Sequence, residues 1–151
     1  MSESVGEEVG GRLHTGLSRN DLYFTMTRMG ARDELSYLTE TLSELRGVLL
    51  GLAEERVDTV MPGYTHLQQA QPILFGHYAL SLFWMLERDR GRVSDSWKRA
   101  DYLPLGSGAL AGSAFPLDRE PMALELVFSR VTGNRLAAVT DRDSLLQARA
   151  L

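Results

Sequence analysis

All-α is the fold class this sequence predicts, and two patterns and one scarcity carry the prediction. Leu35, Leu38, Leu42, Leu45, Leu49 and Leu52 alternate spacings of three and four, the seven-residue repeat of a helix buried along a narrow seam. Ile73 to Leu86 is apolar on nearly every face, which only a helix surrounded by other helices tolerates. Alternation of apolar and polar residues, the mark of a half-buried strand, is scarce throughout. Neither a repeat of solenoid period nor a low-complexity tract interrupts this picture.

The elements then follow in order, as one partial helical domain over 1–151. Residues 1–17 read as an acidic leader running into a first polar motif. A long helix is expected over 18–56, with Ser18, or Asn20 and Asp21, supplying the oxygen that accepts from its orphan amides. Gly30, Gly47 and Gly51 weaken it by up to ~1 kcal/mol each relative to Ala, so tertiary packing must carry it. Residues 57–71 read as a loop, with Pro62 and Gly63 making a turn. Pro72 suits the first position of a second long helix over 72–102. That helix is apolar to Leu86 and charged from Glu87, where Val93, Trp97 and Ala100 leave a residual stripe. Residues 103–117 form a Gly-rich loop, and 118–151 hold short helices, one from Asp118 to Ser129 and a last start at Thr140-Asp141-Arg142-Asp143. Two long helices cover only part of each other, so the pattern calls for further helices from other copies, a homo-oligomer.

Composition excludes several functions. The 151 residues are 44% hydrophobic, enough for a real core, and carry a formal charge of −4 with the cations scattered rather than striped, so nucleic acid is not an expected partner. There is no cysteine, and the three histidines lie far apart, so neither a disulfide framework nor a metal site is implied, and no cofactor is expected. The N-terminus resembles neither a secretory signal nor a mitochondrial presequence, which makes cytoplasmic the default location. The fourteen-residue apolar run contains His77 and falls short of the roughly 20 residues that span a membrane, so no membrane association is expected. Gly106-Ser107-Gly108-Ala109-Leu110-Ala111-Gly112 superficially resembles a phosphate-cradling loop, but its last glycine stands one place too late for GxGxxG and no strand is expected before it.

Chemistry is expected in Met61-Pro62-Gly63-Tyr64-Thr65-His66-Leu67-Gln68-Gln69-Ala70-Gln71-Pro72, which presents a hydroxyl, an imidazole and three amides with little apolar cover. Taken alone, Thr65 and His66 read more readily as a helix cap and a half-buried imidazole than as a catalytic pair. Arg19 with Asn20 and Asp21 reads alone as a solvated helix start. His14 reads as a hydrogen-bonded turn residue, and His77 as a satisfied core histidine outside any site.

The three passages His14-Thr15-Gly16-Leu17-Ser18-Arg19-Asn20-Asp21, Gly63-Tyr64-Thr65-His66-Leu67-Gln68 and Pro104-Leu105-Gly106-Ser107-Gly108-Ala109-Leu110-Ala111-Gly112 together resemble argininosuccinate lyase, of the fumarase/aspartase superfamily. The resemblance runs from about Glu8 to Asp143. It implies a helical homotetramer in which long helices from four subunits form one bundle. It also implies elimination of argininosuccinate to arginine and fumarate, through a dianionic carboxylate intermediate. On that resemblance Ser18, Arg19, Asn20 and Gln68 bind substrate, and Thr65 and His66 belong to the acid/base network, the histidine orienting or relaying rather than abstracting the proton itself.

Departures from the family pattern are local and global. Leu17 stands where the family usually has Arg, Leu22 where it has Gln, and the tail drifts from Arg135 onward. Nothing after Asp143 resembles the family's GSSxMPxKxN loop, whose serine is taken as the general base, and the family's preceding N-terminal domain has no counterpart. The chain alone is therefore expected to lack the base. The alternatives are a non-catalytic helical oligomeric relict, or another fumarate-releasing lyase such as adenylosuccinate lyase or fumarase.

Overall fold

The computed structural model of the chain describes residues 6–12 and 14–150; residues 1–5 and Leu13 of the expected leader and Leu151 of the expected last helix lie outside them. Among the described residues ten elements follow one another: α1 (Glu7–Arg12), α2 (Arg19–Glu55), β1 (Val60–Thr65), β2 (Gln68–Leu74), α3 (Phe75–Ala100), β3 (Tyr102–Leu103), α4 (Arg119–Glu125), β4 (Arg130–Val131), α5 (Arg135–Thr140) and α6 (Asp143–Arg149). The described residues divide into two compact units, one of those up to Asp33 with 97–150 and one of residues 34–96.

The first unit gathers Leu103, Leu105, Ala123 and Phe128 into a buried cluster, with Leu17, Leu22, Met29, Met122, Leu126 and Val131 packed against it. β3 and β4 pair in parallel, Tyr102 with Arg130 and Leu103 with Val131. α4 starts where Asp118 accepts from the Glu120 amide, and it ends earlier than the Ser129 expected of it. Phe128 N–H donates to the Ala123 carbonyl at 2.8 Å and Val127 N–H to that of Leu124 at 3.1 Å, which closes the helix with Val127 at φ 56. Arg32 fixes this end by donating to the Val127 and Leu126 carbonyls, while it pairs with Asp101 at 2.6 Å and lies 4.0 Å over the Phe128 ring. α5 is an addition to the expected elements, capped by the Asn134 side chain accepting from Ala137 N–H.

In the second unit the segment expected as a loop over 57–71 is an antiparallel hairpin. β1 and β2 pair from Val60 with Leu74 to Thr65 with Gln68, and a bulge falls between Pro62 and Tyr64. Pro72, expected to open a helix, faces Pro62 across the ladder instead, and α3 begins three residues later at Phe75. Phe75 N–H donates to Thr59 O at 2.8 Å and closes the hairpin base. The ladder wins because the two-residue turn at His66 and Leu67 lets Val60–Thr65 and Gln68–Leu74 satisfy each other's backbone groups, which a loop would leave to water.

Of the leucine seam, Leu35 is buried and Leu42 and Leu49 are partly covered, whereas Leu38, Leu45 and Leu52 are exposed. Along α3, Ala79 and Val93 are buried, while Tyr78, Trp84 and Met85 are exposed. His77 is exposed as well, so the expected core histidine is a surface residue of this chain, beside Leu50, Leu74 and Leu80 in an apolar groove of about 280 Å³. Glu87 joins Arg46 at 2.5 Å and Arg90 at 2.7 Å where α3 turns charged.

Candidate functional site

Ser18, Arg19 and Asn20 form the entry to α2 in the first unit. Ser18 acts as N-cap: its carbonyl accepts from Leu22 N–H at 3.2 Å and its hydroxyl from Asn20 N–H at 3.3 Å. Asp21, three residues on, returns the favour by accepting from Ser18 N–H at 2.9 Å, a reciprocal capping box. Arg19 and Asn20 are exposed, so their side chains face outward from a fixed turn.

Asp21 does more than cap. Its side chain is fully buried, and its second oxygen accepts from the amides of Gly106 at 3.0 Å and Gly108 at 2.8 Å. Asn20 Nδ2 donates to the carbonyl of Ala109 at 3.0 Å. The first polar motif and the Gly-rich motif are thus joined at three hydrogen bonds between neighbouring residues. A two-residue strand, β3, does precede that glycine run, contrary to expectation, but the amides a phosphate would require are already held by a carboxylate.

Arg119 holds the Gly-rich loop from the other side. Its guanidinium donates to the carbonyls of Leu105 at 2.8 Å, Leu103 at 2.9 Å and Thr132 at 3.0 Å, and to the Thr132 hydroxyl at 2.7 Å. Burial lowers its pKa from the ordinary arginine value, as does nearby Arg135, while Glu120 and Asp21 oppose the shift. Gly106 adopts φ 79, and a Cβ there would fall 2.8 Å from Arg119 Cγ, so both conformation and space demand glycine. Ser107 between the two glycines is buried, and its hydroxyl makes no hydrogen bond.

Thr65, His66 and Gln68 lie at the tip of the hairpin in the second unit. Thr65 and Gln68 face each other as the last ladder pair, and His66 and Leu67 occupy the turn with φ 51 and 62. Two consecutive positive values are the signature of a type I′ turn, which ordinarily takes Asn-Gly. All four residues are exposed, Leu67 to 94%. Among the described residues nothing forms a side-chain hydrogen bond with Thr65, His66 or Gln68. The six expected site residues thus divide three and three between the two units.

Other expectations resolve around these. The two apolar residues at usually polar family positions, Leu17 and Leu22, pack against the Leu103 cluster, so both are absorbed by the core. His14 is exposed in the turn before Ser18, where its carbonyl accepts from Leu17 N–H at 3.2 Å. A cavity of about 360 Å³ in the first unit, lined by Arg28, Tyr102, Thr132, Asn134 and Asp141 among others, contains none of the six. Among the described residues no group of three or more His, Cys, Asp or Glu is arranged to hold a metal ion, and no helix is long and apolar enough to cross a membrane. Sequence reasoning missed Asp21 and Arg119 as organising residues; the spacing of Ser18 and Asp21 was the one local signal.

Comparison with known proteins bears on the family and the fold. The family model described as lyase, Lyase_1, matches residues 1–151. The chain is 50% identical over 147 residues to argininosuccinate lyase of Symbiobacterium thermophilum and 49% identical to that of Bacillus anthracis, covering 97% of this chain and 32% of each relative. It therefore spans about a third of the length of these relatives. Among solved structures, EDDS lyase in complex with formate superposes with a TM-score of 0.92 at 33% identity, covering 97% of this chain and 29% of that one. A variant of EDDS lyase with bound fumarate gives 0.91. Class II fumarase of Schistosoma mansoni, 19% identical, gives 0.79 over 89% of this chain and 33% of its own, and shows the fold alone. The fold is the helical one of the fumarase/aspartase superfamily.

Proposed function

The chain belongs to the Lyase_1 family of lyases, and on that premise we propose that it forms the central helical part of an argininosuccinate lyase-type enzyme. The observation that carries the reading is the 50% identity to argininosuccinate lyase across 97% of the chain. The reaction is the elimination of argininosuccinate to arginine and fumarate. A base takes the proton from the carbon beside a succinyl carboxylate, the electron pair moves into that carboxylate to give a dianion, and its return expels the guanidino nitrogen, which is protonated as it leaves.

Such an intermediate needs fixed donors aimed at developing negative charge. Arg19 supplies a bidentate cation, and Asn20 and Ser18 neutral donors, for the substrate carboxylates. Thr65 donates from the hairpin, and the His66 imidazole, able both to donate and to accept, orients or relays the proton. Gln68, opposite Thr65, contributes an amide. The base comes from outside these residues. The enzyme is cytoplasmic and tetrameric in this reading, and the exposed Leu38, Leu45, Leu52, Trp84 and Met85 are the faces its bundle covers.

A second reading, another fumarate-releasing lyase, is favoured by one observation, the superposition on EDDS lyase, a variant of which holds fumarate. Both are tested by installing this chain in place of the matched 147 residues of the Symbiobacterium enzyme and following fumarate by ultraviolet absorbance. The lead reading expects release from argininosuccinate, with His66→Ala reducing it by on the order of 10²–10⁴. A folded chimera that releases fumarate only from another substrate supports the second reading, and one that releases none overturns both.

A further inference from the structure

We infer that Asp21 is a positioning residue, which holds the Asn20 side chain as an outward donor by locking the Gly106–Gly108 turn beneath it. The inference rests on the proposed function for the identity of the ligand, a dicarboxylate, and on geometry for everything else. Asp21 and Asn20 are adjacent, and their partners Gly108 and Ala109 are adjacent too. Two hydrogen bonds between two pairs of neighbours fix orientation as well as distance, because neither residue can swing without breaking the other's bond.

The consequence falls on one amide group. Asn20 Nδ2 carries two protons, and the Ala109 carbonyl takes one of them at 3.0 Å. That bond sets the plane of the amide and leaves the second proton as a donor on the exposed side of the turn, beside Arg19. Were the Gly-rich loop free to shift, the Ala109 carbonyl would move and the donor would turn with it. What prevents the shift is charge. The fully buried Asp21 carboxylate holds the loop by its amides, while Arg119 holds it by the carbonyls of Leu103 and Leu105. Bonds to ionised groups in a buried setting are among the stronger ones available for this purpose.

An ordinary structural residue would affect stability and nothing more, so the test needs a control of equal burial. Arg32 is that control. It is exposed to 8%, as Arg119 is, and it anchors Asp101 and the end of α4 rather than the Gly-rich loop. Asp21→Asn, Arg119→Lys and Arg32→Lys would each be made in this chain, with folding followed by circular dichroism. The two readouts are the amide proton shifts of the Asn20 side chain and the affinity for fumarate.

Asp21→Asn is expected to move the Ala109-bonded Asn20 proton to the position of a free asparagine amide and to weaken fumarate binding about tenfold, the worth of one hydrogen bond to a charged group. Arg119→Lys, which touches the loop from the opposite side, should act in the same direction, and it carries the test if Asp21→Asn does not fold. Arg32→Lys should lower the melting temperature and leave both readouts unchanged. The inference is overturned if the folded loop variants keep the wild-type Asn20 shift, or if Arg32→Lys disturbs Asn20 and fumarate binding as much as they do. A wild-type chain that binds no fumarate shows that its donors alone do not hold the ligand, and the Asn20 shift then decides the positioning role by itself, the proposed function being decided by the chimera.

Discussion

In the first unit the polar residues at the entry to α2 are tied to the Gly-rich loop by buried charge, whereas in the second Thr65, His66 and Gln68 stand on an exposed hairpin whose turn is strained. Asp21 is fully buried and satisfies three amides, two of them more than eighty residues away. His66 and Leu67 take left-handed conformations that cost about 1–2 kcal/mol per residue when a Cβ is present. One region spends its polar groups on its own stability and presents donors as a by-product. The other gives up stability to hold an imidazole and a leucine in the open. Strain observed at a residue that also bears chemistry is a reason to look for function there.

The largest expected effect is on the first region. Asp21→Ala leaves the amides of Ser18, Gly106 and Gly108 without an acceptor and removes the nearby opposite charge from buried Arg119. At about 1–3 kcal/mol for an unsatisfied buried group, the loss should reach about 3 kcal/mol or more by urea denaturation. A loss below about 1 kcal/mol would mean that water replaces the carboxylate, and the contrast between the regions would collapse.

The hairpin should respond in the opposite direction. Replacing His66 and Leu67 by Asn and Gly supplies the residues that a type I′ turn prefers, and the melting temperature should rise by the equivalent of about 1–2 kcal/mol while chimera turnover is lost. Unchanged stability would show that the turn carries no strain. A smaller gain is expected at Val127, 77% exposed with φ 56, where Val127→Gly should add about 1 kcal/mol by removing a β-branched residue from a helix-terminating left-handed position.

The smallest effect concerns the charged end of α3. The Arg90 hydrogen bond, opposed by desolvation and aided by the Arg46 and Arg90 charges, holds Glu87 below its ordinary value of 4.5. A depressed folded-state pKa stabilises above the unfolded value, and the contribution is lost as pH falls through the folded one. Glu87→Gln should therefore melt slightly below wild type at neutral pH, and the gap should close progressively below about pH 4.5. A gap that persists at lower pH would assign it to packing.

The long helices were legible because each carries a local pattern: the seam from Leu35 to Leu52 placed a helix over 18–56, where α2 spans Arg19–Glu55, and the all-round apolar run to Leu86 placed another over 72–102, where α3 spans Phe75–Ala100. The hairpin was not, since its turn holds His-Leu where Asn-Gly is the recognisable signal, and Pro72 advertised a helix start that backbone pairing with Pro62 overrode. Asp21 was legible as a cap and illegible as a clamp, because its other partners lie 85 and 87 residues along the chain and no local spacing encodes them. Arg119 escaped for the same reason, a lone cation whose partners are backbone carbonyls. The seam's exposed members, Leu38, Leu45 and Leu52, show the limit of reading burial from period: a heptad says which side wants cover, not which chain supplies it.

The claim that one half of the expected site residues is anchored by buried charge while the other is held on a strained tip is tested most directly by native-state hydrogen exchange. The account expects the Gly106 and Gly108 amides, bonded to buried Asp21, to exchange only through unfolding of their whole unit, and the cross-strand amides over 64–69 to exchange orders of magnitude faster through local opening. Glycine amides that exchange as fast as the hairpin's would contradict it.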